Sequence, residues 1–593
     1  MVRPRLIPVL LVAAVVAGTA GRSQTVTLSP RAWPVGEYER FMRAQDVDRT
    51  EAGVASGRNG AVTVAYNGLA ARAGLEALAR GGGAIDAALT AAVTQVALTA
   101  GAPISYFGIM SLVYYDAATG RVHTMNAEWN TVKDETSPRT IPGSLDMSTE
   151  EGLRGTAVSG RTALVGGFMK GVGAAHRRFG TLPFAVLVEP AIAIAEDGMP
   201  VTKHLADKFR FRGEDLARLP ATRAVFLKPD GSRYVAGEIF KQPALAVTLR
   251  AIASQGTDYM YRGPWARKLV AAVQADGGRM TLEDLAAYDV RWDEPLVAPI
   301  GNGFAVYTNP PPNLGGAALI EAQLLAEASG LTREPHWTRS GAALRKAIDI
   351  AQMVALHYLP DEALQKIYPG LDFSTRARTS PAHAAALWKR MEAGAIPFRW
   401  AAPASAGHSD DVVAVDRAGN IAAITHSINC VDWGRTAINV DGISIGDPAS
   451  FQQAQIARVP PGARLPAPTE TGMLFKDGKP VLGFASMGSG LHQRTFQALL
   501  NVTRFGMTVD QAINTPDFLS PARDRSGDLI LRVPKDRFPL SVLRAAGVAY
   551  QEIDAGNMRF GGEGLWVAVS RDPATGELRA ASHNRNNSAA VAR

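Results

Sequence analysis

The sequence predicts an α+β protein in which antiparallel sheets are stacked between layers of helix. Short paired runs with apolar residues at period two, broken by tight turns, supply the strands, and long apolar stretches at helical spacing supply the outer layers. The composition agrees. A chain of 593 residues, 47% hydrophobic and 20% charged, has material for a large core and is not a disordered or fibrous protein. Its length suits three or four domains of about 100–200 residues, or one large enzyme fold.

The elements follow in order. Arg3 and Arg5, the apolar run Leu6 to Ala17 and the small residues Gly18-Thr19-Ala20 have the form of a signal peptide over residues 1–20. Export to the periplasm or outside is therefore expected. The apolar run is shorter than the ~20 residues of a spanning helix, so no membrane span is expected after removal. Ala70 to Ala79 reads as a helix stopped by Gly81-Gly82-Gly83, and the nearly uncharged Ile85 to Leu98 as a second, buried one. Ile109 to Tyr115 and Val122 to Met125 form a hairpin about Thr119-Gly120. Gly166 to Leu205 carries helix signals, with Pro190 expected at a helix start and Asp197-Gly198 at its end. Trp265 to Ala275, Gly316 to Glu327 and Ala342 to His357 are further helices, and Phe304 to Tyr307 is a strand entering the rigid Pro310-Pro311-Pro312 loop.

After Arg399 the texture changes. Residues 399–407 are small, apolar and interrupted by proline, a linker of the kind that tolerates cleavage. A hairpin beginning at Ser409 follows, with strands Asp411 to Asp416 and Ile421 to Thr425 around Ala418-Gly419-Asn420. A second pair, Gly472 to Phe475 and Val481 to Ala485, leads into a helix over Arg494 to Thr503.

Charge and cysteine content narrow the function. A net charge of +7 spread without Lys/Arg runs gives no nucleic-acid footprint. The single cysteine, Cys430, excludes an intrachain disulfide framework and a Cys-based zinc site. The ten histidines lack metal-ligand spacing, and P-loop, dinucleotide, His-Glu-x-x-His and Gly-x-Ser-x-Gly signatures are missing, so no metal or cofactor is expected.

What remains is a hydroxyl at the head of a strand behind a cleavable linker. Scission between His408 and Ser409 leaves Ser409 with a nucleophile and, in its freed α-amine, a base of ordinary pKa near ~8. The bland alternative is that Ser409 merely opens a hairpin, as serine often does.

At this point the chain resembles the γ-glutamyltranspeptidase family of N-terminal-nucleophile hydrolases, over about residues 59 to 590. The resemblance is carried by GLAARAGLEALARGGGAIDAALTAA (68–92), FGTLPFAVLVEPAIAIAEDGMPV (179–201), MYRGPWARKLVAAVQADGGRMTLEDLAAYDVRW (260–292), VYTNPPPNLGGAAL (306–319) and FQALLNVTRFGMTVDQAINTPDF (496–518). It implies a four-layer αββα sandwich with a largely helical large-subunit portion. It also implies autocatalytic cleavage into subunits covering residues 21–408 and 409–593. VAVDRAGNIAAITHSIN (413–429) sets Ser409 on the family's catalytic threonine and Asn429 on a substrate-positioning residue, while Ser486-Met487-Gly488-Ser489 falls on the oxyanion loop. Asp410, Asp411, Ser486, Ser489 and Arg435 are then the candidates for contacting substrate.

Several family hallmarks differ. Asp410 and Asp411 follow the nucleophile where the family has threonine and histidine, Met487-Gly488 replaces paired glycines, and Ala467-Pro468-Thr469 stands near the usual two serines. Pro448-Ala449-Ser450 replaces acidic residues. Met125-Asn126-Ala127-Glu128 lacks the arginine that holds the α-carboxylate of a γ-glutamyl group; Arg435 or Arg494 is the alternative source of a guanidinium. The expected function is an exported, self-processing amidohydrolase or acyltransferase acting on a small-molecule amide or peptide. A non-catalytic, uncut homologue and a serine hydrolase with His426 or His492 as base are the rival readings.

Overall fold

A computed structural model of the chain describes residues 26–47, 51–142, 158–357, 359–394, 409–449, 455–488, 490–519, 522–523, 529–554, 564–584 and 587–593. The expected signal peptide, the linker 399–407, His408 and Ser489 lie outside the described residues.

The strands of the two main sheets are β1 (Gly53–Gly57), β2 (Gly60–Val64), β3 (Ile109–Asp116), β4 (Arg121–Ala127), β5 (Arg291–Asp293), β6 (Leu296–Gly301), β7 (Phe304–Thr308), β8 (Ser409–Asp416), β9 (Ile421–Ser427), β10 (Glu470–Lys476), β11 (Lys479–Met487), β12 (Leu565–Arg571), β13 (Leu578–Ser582) and β14 (Ala589–Ala592). One seven-stranded sheet runs β14-β2-β8-β9-β3-β4-β5 and the other β1-β13-β12-β11-β10-β7-β6. The helices that bear on the site are α1 (Gly68–Ala79), α2 (Ala84–Leu98), α3 (Phe168–Phe179), α4 (Phe184–Asp197), α5 (Lys203–Arg218), α6 (Gly315–Ala328), α7 (Gly341–Val354) and α8 (Leu491–Thr503).

Three apolar layers hold this together. Val412, Ala414, Ala422 and Ile424 on one face of the first sheet pack with residues of α1 to α4. Val413, Val415, Ile421 and Ala423 on its other face meet Met473, Ala485, Val567 and Val569 of the second sheet. Leu474, Leu482 and Phe484 on the far face of that second sheet pack against α6, α7 and α8. The architecture is the expected four-layer αββα sandwich. Burial of each valine-sized side chain is worth roughly 1.5–3 kcal/mol. Because both faces of β8 and β9 are covered, their alternation collapses into the runs VVAV and IAAI.

Local chemistry fixes the ends. All fifteen residues of α2 are buried, which its small alanines permit. Its first turn is held by Asp86, whose Oδ2 accepts from Gly83 N at 2.9 Å, and by Asp416, whose Oδ2 accepts from Ala84 N at 2.9 Å. Asp416 ends β8, so the same carboxylate anchors the helix to the hairpin and favours the helix dipole. Pro190 lies inside α4 and not at a helix start. It removes one backbone bond, and the burial of Leu187, Ile192 and Ile194 outweighs that loss. α8 begins at Leu491, three residues before the expected Arg494, and α7 stops at Val354 short of His357.

Residues on either side of position 409 interleave in both sheets. Val64 of β2 pairs with Val412 of β8, and Thr308 of β7 pairs with Gly472 of β10. Among the described residues no helix is long and apolar enough to cross a membrane.

Candidate active site

The hairpin β8–β9 sets the geometry. Its turn is pinned by Asp416, whose Oδ1 accepts from Asn420 N at 3.0 Å and whose Oδ2 accepts from Asn420 Nδ2 at 2.7 Å. That turn fixes the pairs Ser409–Ser427, Asp410–His426 and Asp411–Thr425. Facing residues of an antiparallel pair share a side, and the side alternates along each strand. Val413 and Ala423 face the other sheet. Ser409, Asp411, Thr425 and Ser427 therefore do so too, while Asp410 and His426 face the helices.

At this end the space between the sheets turns from apolar to polar. The half-buried Ser409 donates from Oγ to Ser427 Oγ at 3.0 Å, and Ser427 Oγ accepts from Asn429 N at 3.0 Å. Asn429 takes a left-handed φ of 47°, tolerated by asparagine, and its Nδ2 is buried without a partner. Thr425 Oγ1 donates to Asp411 Oδ1 at 2.6 Å. The next strand continues the row, because Ser111 of β3 pairs with Thr425. Ser111 Oγ donates to Glu128 Oε1 at 2.6 Å, and Thr469, from the segment leading into β10, donates to the same oxygen at 2.8 Å. Asn313 Nδ2 reaches Ser111 Oγ at 2.8 Å and Thr469 Oγ1 at 2.6 Å.

Two carboxyls in this layer hold an oxygen with no hydrogen-bond partner, Oε2 of Glu128 and Oδ2 of Asp411. Burial raises the pKa of Glu128, against the two hydroxyls and Arg464, which lower it. Burial pushes Asp411 well above the carboxylate range, Thr425 opposes this, and Glu470 adds to the rise.

On the helix side, Asp410 Oδ1 accepts from Tyr66 N at 3.0 Å and from Asp411 N at 2.9 Å. Burial first, and Asp411 second, hold its pKa well above the ordinary value. His426 bonds Gln95 Oε1 through Nε2 at 2.9 Å, stacks on Phe168 and is kept neutral by burial, its pKa lowered to about 3. His492 bonds Glu470 and lies beneath the outer face of the second sheet. The structure brings neither histidine to Ser409.

The other expected site residues divide. Met487 ends β11 with its side chain in the inter-sheet core, and Gly488 follows at φ 90°. Ser486 points away from them, its Oγ lying 2.9 Å from Leu565 O and 3.2 Å from Leu491 O. Its hydroxyl serves the backbone. Arg435 is buried with Nη1 on Asp215 Oδ1 at 2.7 Å, and Arg494 is held by Asp517 at 3.1 Å and by Ile513 O at 2.8 Å. Both guanidiniums have structural partners away from β4, because each is drawn into a low-dielectric interior where an unpaired charge is costly.

The guanidinium that reaches Asn126 of β4 is Arg464, which the sequence did not single out. Its Nε donates to Asn130 Oδ1 at 2.6 Å, Nη1 to Asn126 O at 2.7 Å and Nη2 to Asp289 O at 2.6 Å. Ser427 and Asn313 were also missed, and Thr469 was noted only as standing near the usual two serines. Counting out from the turn at 416–420 finds Ser427 opposite Ser409. Nothing local points to Asn313.

Comparison with known proteins gives the ancestry. The family model Gamma-glutamyltranspeptidase matches residues 70–592. A glutathione hydrolase proenzyme of Bacillus subtilis (strain 168) is 27% identical over 576 residues, spanning 90% of this chain and 92% of the relative. An acylase ACY 1 proenzyme of Pseudomonas sp. (strain SE83) is 28% identical over 478 residues, 78% of this chain and 82% of the relative. The crystal structure of a cephalosporin acylase from Bacillus halodurans shares the fold at a TM-score of 0.73 and 22% identity, covering 91% of this chain and 97% of that one. The chain belongs to the gamma-glutamyltranspeptidase family and is a γ-glutamyltranspeptidase-like N-terminal-nucleophile amidohydrolase.

Proposed function

We propose that the chain is an exported precursor, cut between His408 and Ser409, in which Ser409 becomes the nucleophile of an acyl hydrolase or transferase whose natural acyl group is not γ-glutamyl. The observation that carries the reading is the polar row beginning at Ser409, whose Oγ lies 3.0 Å from Ser427 Oγ at the half-buried head of β8. In the cut enzyme the Ser409 amine accepts the Oγ proton as oxygen attacks the amide carbonyl. The same proton passes to the leaving amine as the C–N bond breaks. Water, or an acceptor amine, then releases the acyl group and returns a proton to Oγ. Backbone donors around Met487 and Gly488 serve the oxyanion.

Residues 1–20 are read as the signal peptide, 21–408 as the large subunit and 409–593 as the small one. Because strands from both sides of position 409 alternate in each sheet, the two pieces stay paired after scission. The acyl preference rests on β4 and the residue that follows it. The segment Asn126–Glu128 offers an amide and a buried carboxyl where a carboxylate substrate needs a guanidinium, and Arg464 has donors committed to Asn126, Asn130 and Asp289. An acylase among the relatives supports a wider acyl range.

Denaturing electrophoresis with N-terminal sequencing tests the cut, and hydrolysis of γ-glutamyl, β-aspartyl, acyl and oxalyl-type amides tests the acyl group. The expected result is a small fragment beginning Ser-Asp-Asp-Val and faster turnover of an amide other than γ-glutamyl. A single uncut band that turns over substrate overturns the nucleophile, an uncut band with no turnover favours a binding homologue, and preferred γ-glutamyl turnover overturns the acyl assignment.

A further inference from the structure

The amine that serves as base after scission does not exist before it. In the intact chain the nitrogen of Ser409 is an amide, so its lone pair is delocalised and accepts no proton. The first attack of Ser409 Oγ on the His408 carbonyl needs a different acceptor.

Few groups qualify. Ser409 hands its hydrogen bond to Ser427, whose own hydroxyl is a poor base. His426 and Asp410 lie on the opposite face of the sheet, and His492 lies beneath the other one. Asp411 lies on the correct face. It is two residues from Ser409, about 7 Å along the strand at roughly 3.3 Å per residue, a span that two side chains and one water cover. Oδ1 of Asp411 is occupied by Thr425 Oγ1 at 2.6 Å, which fixes the carboxyl, and Oδ2 is buried without a hydrogen-bond partner. A buried, unsatisfied carboxyl oxygen in a folded chain calls for an explanation.

We propose that Asp411 is the proton acceptor for the self-cleavage of the precursor. The inference rests on the Ser409 reading above. Asp411 takes the Oγ proton, directly or through one water, as Oγ bonds to the His408 carbonyl carbon. The tetrahedral adduct collapses with the proton delivered to the Ser409 nitrogen, breaking the C–N bond and leaving an ester with a free amine. Water then hydrolyses the ester, giving the His408 carboxylate, the free Ser409 hydroxyl and the mature N-terminus. Once the amine exists, Asp411 is no longer needed as the base.

This arrangement makes cutting depend on pH. The acidic group that acts on Asp411 is Glu470 of β10, and Asp410 beside it on β8 has its own pKa raised by burial and then by Asp411. Burial first, and Glu470 after it, keep the Asp411 carboxyl protonated beyond the ordinary aspartate range, against the hydrogen bond from Thr425. The cut is then slow in acid and quickens as pH rises.

The test uses the full-length precursor recovered unfolded in denaturant, refolded in acid and shifted to a series of higher pH values, with the cut fraction followed by electrophoresis. The wild type is expected to cut faster as pH rises, up to a plateau. Asp411→Asn keeps the acceptor for Thr425 and is expected to cut about 100-fold more slowly with a flat profile. Asp411→Glu is expected to regain a slope at a displaced midpoint. Asn cutting at the wild-type rate, or retaining the wild-type slope, overturns the proposal. If Asp411→Asn fails to fold by circular dichroism, an unchanged profile in Asp411→Glu overturns it instead. A wild type that never cuts at this bond sinks the nucleophile reading, whereas a wild type and Asp411→Asn that cut alike sink only the present one.

Discussion

The space between the two sheets contains two regions built by the same strands. In its middle, Val113, Val413 and Ala423 meet Met473, Ala485 and Val567 in a dry apolar layer. One step further along the same faces stand Ser111, Asp411, Ser409 and Thr425, then Ser427, Glu128 and Thr469, all but Ser409 fully buried. Nothing in backbone geometry distinguishes the two. The difference is chemical: the middle stabilises the sandwich through transfer of apolar surface, whereas the end buries polar groups, some unpaired, at a cost that the middle offsets. Stability and chemistry are thus separated along single strands, two residues apart.

Two substitutions probe that division, and a third probes the helix-facing side of β8, from the largest expected effect downwards. Ser409→Ala removes the hydroxyl at the head of β8 and is expected to abolish cutting and lower acyl turnover at least about 1000-fold, with thermal stability nearly unchanged. A large drop in melting temperature instead would place Ser409 in the stabilising region. Met473→Ala, in the middle, reverses the pattern. A loss of about 2–5 kcal/mol in denaturant unfolding is expected, with cutting retained in the folded fraction.

The third is smaller and concerns pH. Asp410 has its folded pKa raised by burial above an ordinary value near ~3.9. Between those two values the folded chain binds more protons than the unfolded one. Its contribution to stability is therefore fully present below the ordinary value and is lost as pH rises through the raised one. Asp410→Asn preserves an acceptor for Tyr66 N and Asp411 N and does not ionise. Melting curves across pH should show it a few degrees more stable than wild type at neutral pH and close to it in strong acid. An equal difference at every pH would mean that Asp410 acts through packing and not through its charge.

Much of the fold was legible because its signals are local. The hairpin from Ser409 follows from a turn-forming Asp-Arg-Ala-Gly-Asn and flanking apolar runs, and the register of that turn sets Ser427 against Ser409. The strand over 109–116 and the helix over 84–98 were found within a residue or two. Pro190 misled, because proline is commoner at helix starts, and tertiary burial kept α4 continuous through it. The candidate site was legible only in part. Ser409 was singled out from the chemistry of a cleavable strand head, Ser486 by motif position and Arg435 as an alternative guanidinium, and the structure commits Arg435 to Asp215 and Ser486 to the backbone of Leu565.

By itself, the sequence determined the elements, the hairpin registers and the hydroxyl at residue 409, since each depends on residues within a turn or strand of one another. Only the tertiary structure decided that Glu128 meets Thr469 across 341 positions and that Arg464 reaches Asn126 across 338. Those contacts join separate sheets and loops, and which side chain fills which place there is settled by the packing of whole layers, which no local pattern of residues encodes.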